Sequence, residues 1–141
     1  MTGPAGPDGL AARQAALLAA LTVDGPLPAG FDPVRVQATR RALLRKRAAE
    51  AAREWPVLAA SLGEGWVATF AEHRGGHPPV GTLRDGWEVA RSLCERGVLP
   101  RAAQAELDAR ESVLRFDGDD RPRLRRISSV RRSLGALLRR G

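Results

Sequence analysis

Apolar residues recur along this chain at spacings of three and four, and breaks in that rhythm divide it into short helices. Leu10, Leu17, Leu18 and Leu21 place a first helix over residues 8–23, with Asp8 as its cap and alanines on most of its other faces. DGPLPAG, residues 24–30, interrupts it. Phe31-Asp32-Pro33 then starts a long helix to about residue 54. Asp32 is a good N-cap, Pro33 suits a first turn where no N–H is needed, and Phe31 can staple back onto that turn. Leu44, Ala48, Ala51 and Trp55 form its apolar stripe, with Val36 and Leu43 at the edge. Arg41, Arg45 and Lys46 fall off the stripe, whereas Arg40 and Arg47 fall on it.

Pro56 ends that helix and opens a short one to residue 62, which Gly63 stops. A fourth helix covers residues 64–74, with Trp66, Val67, Phe70 and Ala71 expected inward. Thr82 is the expected cap of a fifth, with Asp85 completing an approximate capping box; it carries Trp87, Ala90, Leu93 and Cys94, and Gly97 ends it. Pro100 opens a sixth, to about residue 115, through Ala103, Leu107, Arg110 and Leu114. No repeat and no clear alternating strand interrupts the pattern. The expectation is an all-α, compact bundle of five or six short helices.

The ends differ from the middle. In VLRFDGDDRPRLR the Asp-Gly pair is a hairpin signal. Beyond it Ile127, Val130, Leu134, Leu137 and Leu138 share one helical face, from which Arg131, Arg132, Arg139 and Arg140 are excluded. The organisation read from this is an N-terminal segment (1–30), a helical domain (31–116) and a basic tail (117–141), helix or hairpin.

Charge sharpens that division. The chain has 141 residues and a formal charge of +7. Residues 1–116 hold 15 basic and 13 acidic groups, and residues 117–141 hold 8 and 3. A basic tail suits an anionic partner, whether nucleic acid, membrane surface or acidic protein. Lys46 is the single lysine among 23 basic residues, so the arginine excess reflects a GC-rich coding habit as much as function. One cysteine, Cys94, excludes an internal disulfide and any cysteine-rich zinc site. No apolar run spans a membrane and the first residues lack a secretory pattern, so a cytoplasmic location is expected.

Candidate chemistry is sparse. His73 and His77, the only histidines, sit four apart in EHRGGHPPVGTLRDGW. A metalloprotease pair needs Glu between the two on one helix; here Arg74-Gly75-Gly76 intervenes and ends the helix. The better reading is a loop, fixed by His77-Pro78-Pro79, that joins two helices. No phosphate-binding glycine loop and no nucleophile–base pair is visible, so neither a catalytic residue, a metal site nor a cofactor is expected. The carboxylates read as members of solvated helix faces. Trp55, Trp66, Phe70, Trp87 and Leu107 read as core. The basic residues of the long helix and the tail leave a nucleic-acid-binding regulator as the alternative function.

Arg40, Trp55-Pro56-Val57-Leu58, Leu62-Gly63-Glu64, His77-Pro78-Pro79, Leu99-Pro100, Leu107 and Glu111 come in an order and at intervals that point to a family. Residues 31–116 resemble the small helical domain, usually labelled "DNA-binding", of the partner proteins that accompany multinuclear non-haem iron-dependent oxidative enzymes. The resemblance implies a non-catalytic accessory protein that binds the iron enzyme and helps present a ribosomally made precursor peptide, with the iron in the enzyme. It implies a partner-facing role for Arg40 and the His77-Pro78-Pro79 loop; the basic residues Arg41 and Arg45 of the long helix and Arg131 and Arg132 of the tail join them as partner-binding candidates on charge. It gives Trp55, Pro56, Leu107 and Glu111 structural roles, and suggests an ion pair between Arg40 and Glu111. Thr39 and His73 stand where that family often has Tyr, and Arg41-Ala42 where amides are common. Where members often carry a second, β-rich domain, only the basic tail follows, so a reduced member is expected.

Overall fold

A computed structural model describes residues 7–23, 26–118 and 121–126. Residues 1–6 and the expected tail helix, with Arg131 and Arg132, lie outside the described residues. Six α-helices follow one another: α1 (Pro7–Thr22), α2 (Pro33–Glu54), α3 (Pro56–Leu62), α4 (Trp66–Arg74), α5 (Thr82–Glu95) and α6 (Arg101–Val113). A 3-10 turn, Gly63–Gly65, links α3 to α4. A short antiparallel hairpin closes the described chain: β1 (Leu114–Arg115) pairs with β2 (Arg123–Leu124), Leu114 opposite Leu124 and Arg115 opposite Arg123. The protein is an all-α bundle with the hairpin as an appendix.

The local chemistry explains most boundaries. Asp32 caps α2, its Oδ1 accepting from the Val34 N–H at 3.0 Å. The N-terminus of α3 is capped from a distance. Trp55 offers no side-chain cap, and Glu106 of α6 accepts from the Val57 and Leu58 N–H groups at 3.3 and 2.7 Å. A carboxylate there also suits the positive end of the helix dipole.

The core lies between the second half of α2 and helices α3–α6. Ala48, Ala51, Trp55, Leu58, Phe70, Val89, Ala90 and Leu107 are wholly buried, with Trp66, Leu93 and Ala103 beside them. Both buried indoles find acceptors. Trp55 Nε1 donates to the Leu83 carbonyl at 2.9 Å and Trp66 Nε1 to the Ala48 carbonyl at 2.8 Å. Trp55 lies so close to Gly86 of α5 that a Cβ there would meet its ring at 2.1 Å. Gly86 is therefore a packing device.

Several sequence expectations need correction. Helix α1 starts at Pro7, not after a cap at Asp8. Its leucine stripe does not make the contact: Leu10 and Leu18 are exposed, Leu17 and Leu21 half-buried, and Ala20 is buried. A small residue at the crossing lets α1 approach α2 closely. Val67 is exposed, because α4 begins at Trp66 after the 3-10 turn and so presents a narrower face than a helix from Glu64 would. Thr82 does not cap α5. Gly81, at φ 102°, takes that place without a side-chain bond, and Thr82 is the first helical residue.

Candidate partner-binding face

Asp85, then, is no member of a capping box. Its side chain is only 4% exposed, and it accepts from two arginines on two other helices. Arg47 Nη2 of α2 reaches Oδ2 at 3.0 Å, and Arg74 Nε of α4 reaches Oδ1 at 3.0 Å. Arg47 sits on the stripe of Leu44, Ala48 and Ala51, so the helix carries it inward. Arg74 ends α4, where a cation suits the helix dipole, and Asp85 lies in the first turn of α5, where an anion does. The clasp ties three helices together. It also leaves two guanidinium groups on one carboxylate, with a net positive charge at low exposure.

The same two arginines hold the loop of residues 75–81. Arg47 Nη1 donates to the His77 carbonyl at 3.1 Å, and the His77 N–H donates to the Arg74 carbonyl at 3.2 Å. Pro78 and Pro79 then fix φ for the next two residues. The side chains of His77, Pro78 and Pro79 are exposed on this pinned backbone. The outcome is a loop whose backbone is pinned by hydrogen bonds while these three side chains face solvent.

Clefts flank the loop. One of about 450 Å³ is walled by Arg74, His77, Pro78, Val80, Arg84 and Glu88. A second, of about 500 Å³, shares Val80 and Arg84 and reaches Arg121 and Pro122 beyond the hairpin turn. Arg84, itself buried, borders both. Its Nε donates to Glu88 at 2.8 Å, its Nη1 to the Phe116 carbonyl at 3.2 Å, and its guanidinium lies over the Trp87 ring at 4.9 Å. Trp87 stacks in turn on Phe116, with ring centroids 4.8 Å apart. This layer docks the hairpin on α5, and the Arg125 N–H to the Val113 carbonyl, at 2.9 Å, holds its far strand.

The residues singled out from sequence separate into groups. His77, Pro78 and Pro79 cluster on the loop, while Arg41 and Arg45 are exposed on α2. Arg40 and Glu111 do not pair with each other. Arg40 Nε donates to the Ala20 carbonyl of α1 at 2.5 Å. Glu111 accepts from Trp87 Nε1 at 2.9 Å and faces Arg91 at 3.8 Å. The two lie on helices that serve different neighbours: α2 carries Arg40 to α1, and α6 carries Glu111 to α5. Trp55, Trp66, Phe70 and Leu107 lie in the core, Pro56 opens α3 with an exposed ring, and Trp87 is half-buried. His73 sits in the last turn of α4 with a buried, unpartnered Nε2, and His77 lies beyond the helix end. Among the described residues no three or more His, Cys, Asp or Glu come together as a metal site would require. No helix among them is long and apolar enough to cross a membrane.

The reading of carboxylates as solvated missed Asp85 and Glu106. One signal was available for Asp85: a lone acid beside core positions, facing arginines that the helical period had already placed inward. For Glu106 there was none, because its partners lie 48 and 49 residues away.

A UPF0276 protein of Streptomyces avermitilis is 39% identical over 114 residues, which covers 80% of this chain. The match takes up 23% of that relative's length. No solved structure matches the chain. Residues 11–95, from within α1 to the end of α5, match the family described as the SCO6045-like C-terminal domain. The stretch includes the clasp and the loop it holds, and by this match the chain belongs to that family.

Proposed function

We propose that this chain is a non-catalytic partner protein that docks on a multinuclear iron-dependent oxidative enzyme acting on ribosomally made peptides. The observation that carries the reading is the extent of the Streptomyces avermitilis relative, in which a segment like this chain forms 23% of a longer protein. A unit covalently joined to a larger polypeptide works at high effective concentration beside it. The contact such a unit makes with the larger part is the docking proposed here, whether or not the two are covalently joined. The order of Arg40, Trp55-Pro56, Leu62-Gly63, His77-Pro78-Pro79 and Leu99-Pro100 supplies the kind of enzyme. The pinned loop supports the docking itself, because a backbone already held by Arg47 and Arg74 loses little freedom on binding.

The test is capture of the enzyme by the tagged full chain from a nuclease-treated native extract, with iron measured in the eluted complex. A stoichiometric iron protein is the expected result, and replacing His77-Pro78-Pro79 by Gly-Ser-Gly reduces it. Retention of nucleic acid in its place, weakening roughly 10³-fold or more between about 50 and 200 mM salt, would assign the exposed arginines of α2 to phosphate contacts and overturn the partner reading.

A further inference from the structure

Resting on that partner reading, we infer that the cleft beside the loop of residues 75–81 receives a tryptophan or tyrosine side chain of the partner, held between the loop and the first two turns of α5. The cleft holds about 450 Å³, and Arg74, His77, Pro78, Val80, Arg84 and Glu88 line it. The loop side of it is built before any ligand arrives. Gly76 and Gly81, at φ 76° and 102°, bracket residues 77–80 in a backbone conformation that favours glycine. Within that bracket Arg47 holds the His77 carbonyl, and the prolines fix φ at the next two positions. His77 and Pro78 are exposed and Val80 is half-buried, so a ring entering the cleft covers apolar surface without reordering the loop.

Three properties of the lining select the ligand. First, its apolar side is a prolyl ring flanked by an imidazole and a valine. Exposed prolines on an extended backbone are received by aromatic side chains, whose flat faces match them. Second, both arginines already meet a carboxylate: Arg74 Nε lies 3.0 Å from Asp85 and Arg84 Nε 2.8 Å from Glu88. A ligand need not bring an anion of its own. The guanidinium groups still attract the face of an aromatic ring through its quadrupole, which an aliphatic side chain lacks. Third, acceptors are in supply. The Glu88 carboxylate is partly exposed and has lone pairs beyond the one that Arg84 uses. The Pro78 and Pro79 carbonyls accept no hydrogen bond from a described residue, and prolines offer no N–H. A ring that carries an N–H or O–H donor uses both the apolar side and these acceptors, as tryptophan and tyrosine do and phenylalanine does not. A nucleobase would bring phosphates, which the Glu88 carboxylate repels.

The experiment is titration of the nitrogen-15-labelled full chain with N-acetyltryptophanamide and N-acetyltyrosinamide, followed through its amide resonances. N-acetylleucinamide and adenosine monophosphate are the comparisons. The two aromatic amides should give saturable shifts at Val80, Gly81, Arg84 and Glu88, with roughly millimolar Kd, and the comparisons should bind about tenfold or more weakly. Pro78→Ala, at an exposed position, should weaken the aromatic amides about threefold or more and leave the unfolding midpoint unchanged. Equal binding of the leucine amide, tighter binding of the nucleotide, shifts centred elsewhere, no saturable shift, or an unaffected Pro78→Ala variant overturns the assignment. Capture of the iron enzyme without aromatic binding at the cleft would remove the cleft and leave the partner reading intact. Aromatic binding that depends on Pro78, without any captured enzyme, would do the reverse.

Discussion

The two halves of α2 place the same residue type in opposite circumstances. From Leu44 onward the helix is part of the core: Ala48 and Ala51 are wholly buried, and the Arg47 side chain, 13% exposed, is held by a carboxylate from α5. Before Leu44 the helix gives nothing to that core. Val36 is its one buried residue, Val34 is 77% exposed, and Arg35 and Arg41 are solvated. The neighbour makes the difference. The second half faces α4 and α5, which bring aromatic rings and Asp85. The first half faces α1, an alanine-rich helix whose Leu10 and Leu18 point elsewhere. Arg47 is held because α5 supplies an anion to it, whereas Arg41, at an exposed position of the first half, is met by no described residue.

Removing the anion is the strongest way to break this contrast. Asp85→Ala leaves the Arg47 and Arg74 guanidinium groups buried around one missing charge, so a loss of about 3–5 kcal/mol is expected in urea or thermal unfolding. A loss under about 1 kcal/mol would show that water replaces the carboxylate at little cost, and the two halves of α2 would then differ less than the burial implies.

A smaller effect follows at the other end of the packed half. Gly86→Ala drives a methyl into the Trp55 ring, whose Cδ1 stands 2.1 Å from the ideal Cβ position. The indole is fixed by its bond to the Leu83 carbonyl, so the strain falls on the crossing of α2 and α5. Such overpacking costs about 1–3 kcal/mol, read as a lower urea midpoint together with a change in tryptophan fluorescence. Glu106→Ala comes next. It strips the Val57 and Leu58 N–H groups of their cap, for about 1–2 kcal/mol. Hydrogen exchange should report it first at α3, and a uniform change over all helices would argue against a capping role.

The periodicity showed the fold at the level of elements, because caps and breakers act within a few residues. Asp32-Pro33, Pro56, Gly63 and Pro100 each stand at an observed helix boundary. The hairpin was legible for the same reason, its turn signal lying between the strands that pair. What the pattern could not show is which polar groups meet across helices. Arg40 and Arg47 were correctly placed on an inward stripe, yet one meets a backbone carbonyl of α1 and the other a carboxylate of α5. No local rule separates these outcomes, since the choice depends on where α1 and α5 lie. The pinned His77-Pro78-Pro79 loop was half legible: the prolines announced stiffness, while the arginine that anchors it lies 30 residues upstream.

The smallest effect on stability is expected where the comparison matters most for binding. Arg41→Gln and Arg47→Gln make the same chemical change six positions apart on one helix. Arg41 is exposed and has no described partner, so its loss should leave the unfolding midpoint within about 0.5 kcal/mol of the wild type. Arg47→Gln removes charge-assisted bonds to Asp85 and to the His77 carbonyl, and should cost about 1–3 kcal/mol. Capture of the partner enzyme should rank them differently: a contact made by the exposed Arg41 is lost in Arg41→Gln while the fold stays intact, whereas Arg47→Gln acts on capture only together with the order of the loop. Urea titrations of both variants, with capture of the enzyme by the same samples, separate these cases. If Arg41→Gln destabilised as much as Arg47→Gln, Arg41 would have a structural load of its own, and the contrast between the two arginines would fail.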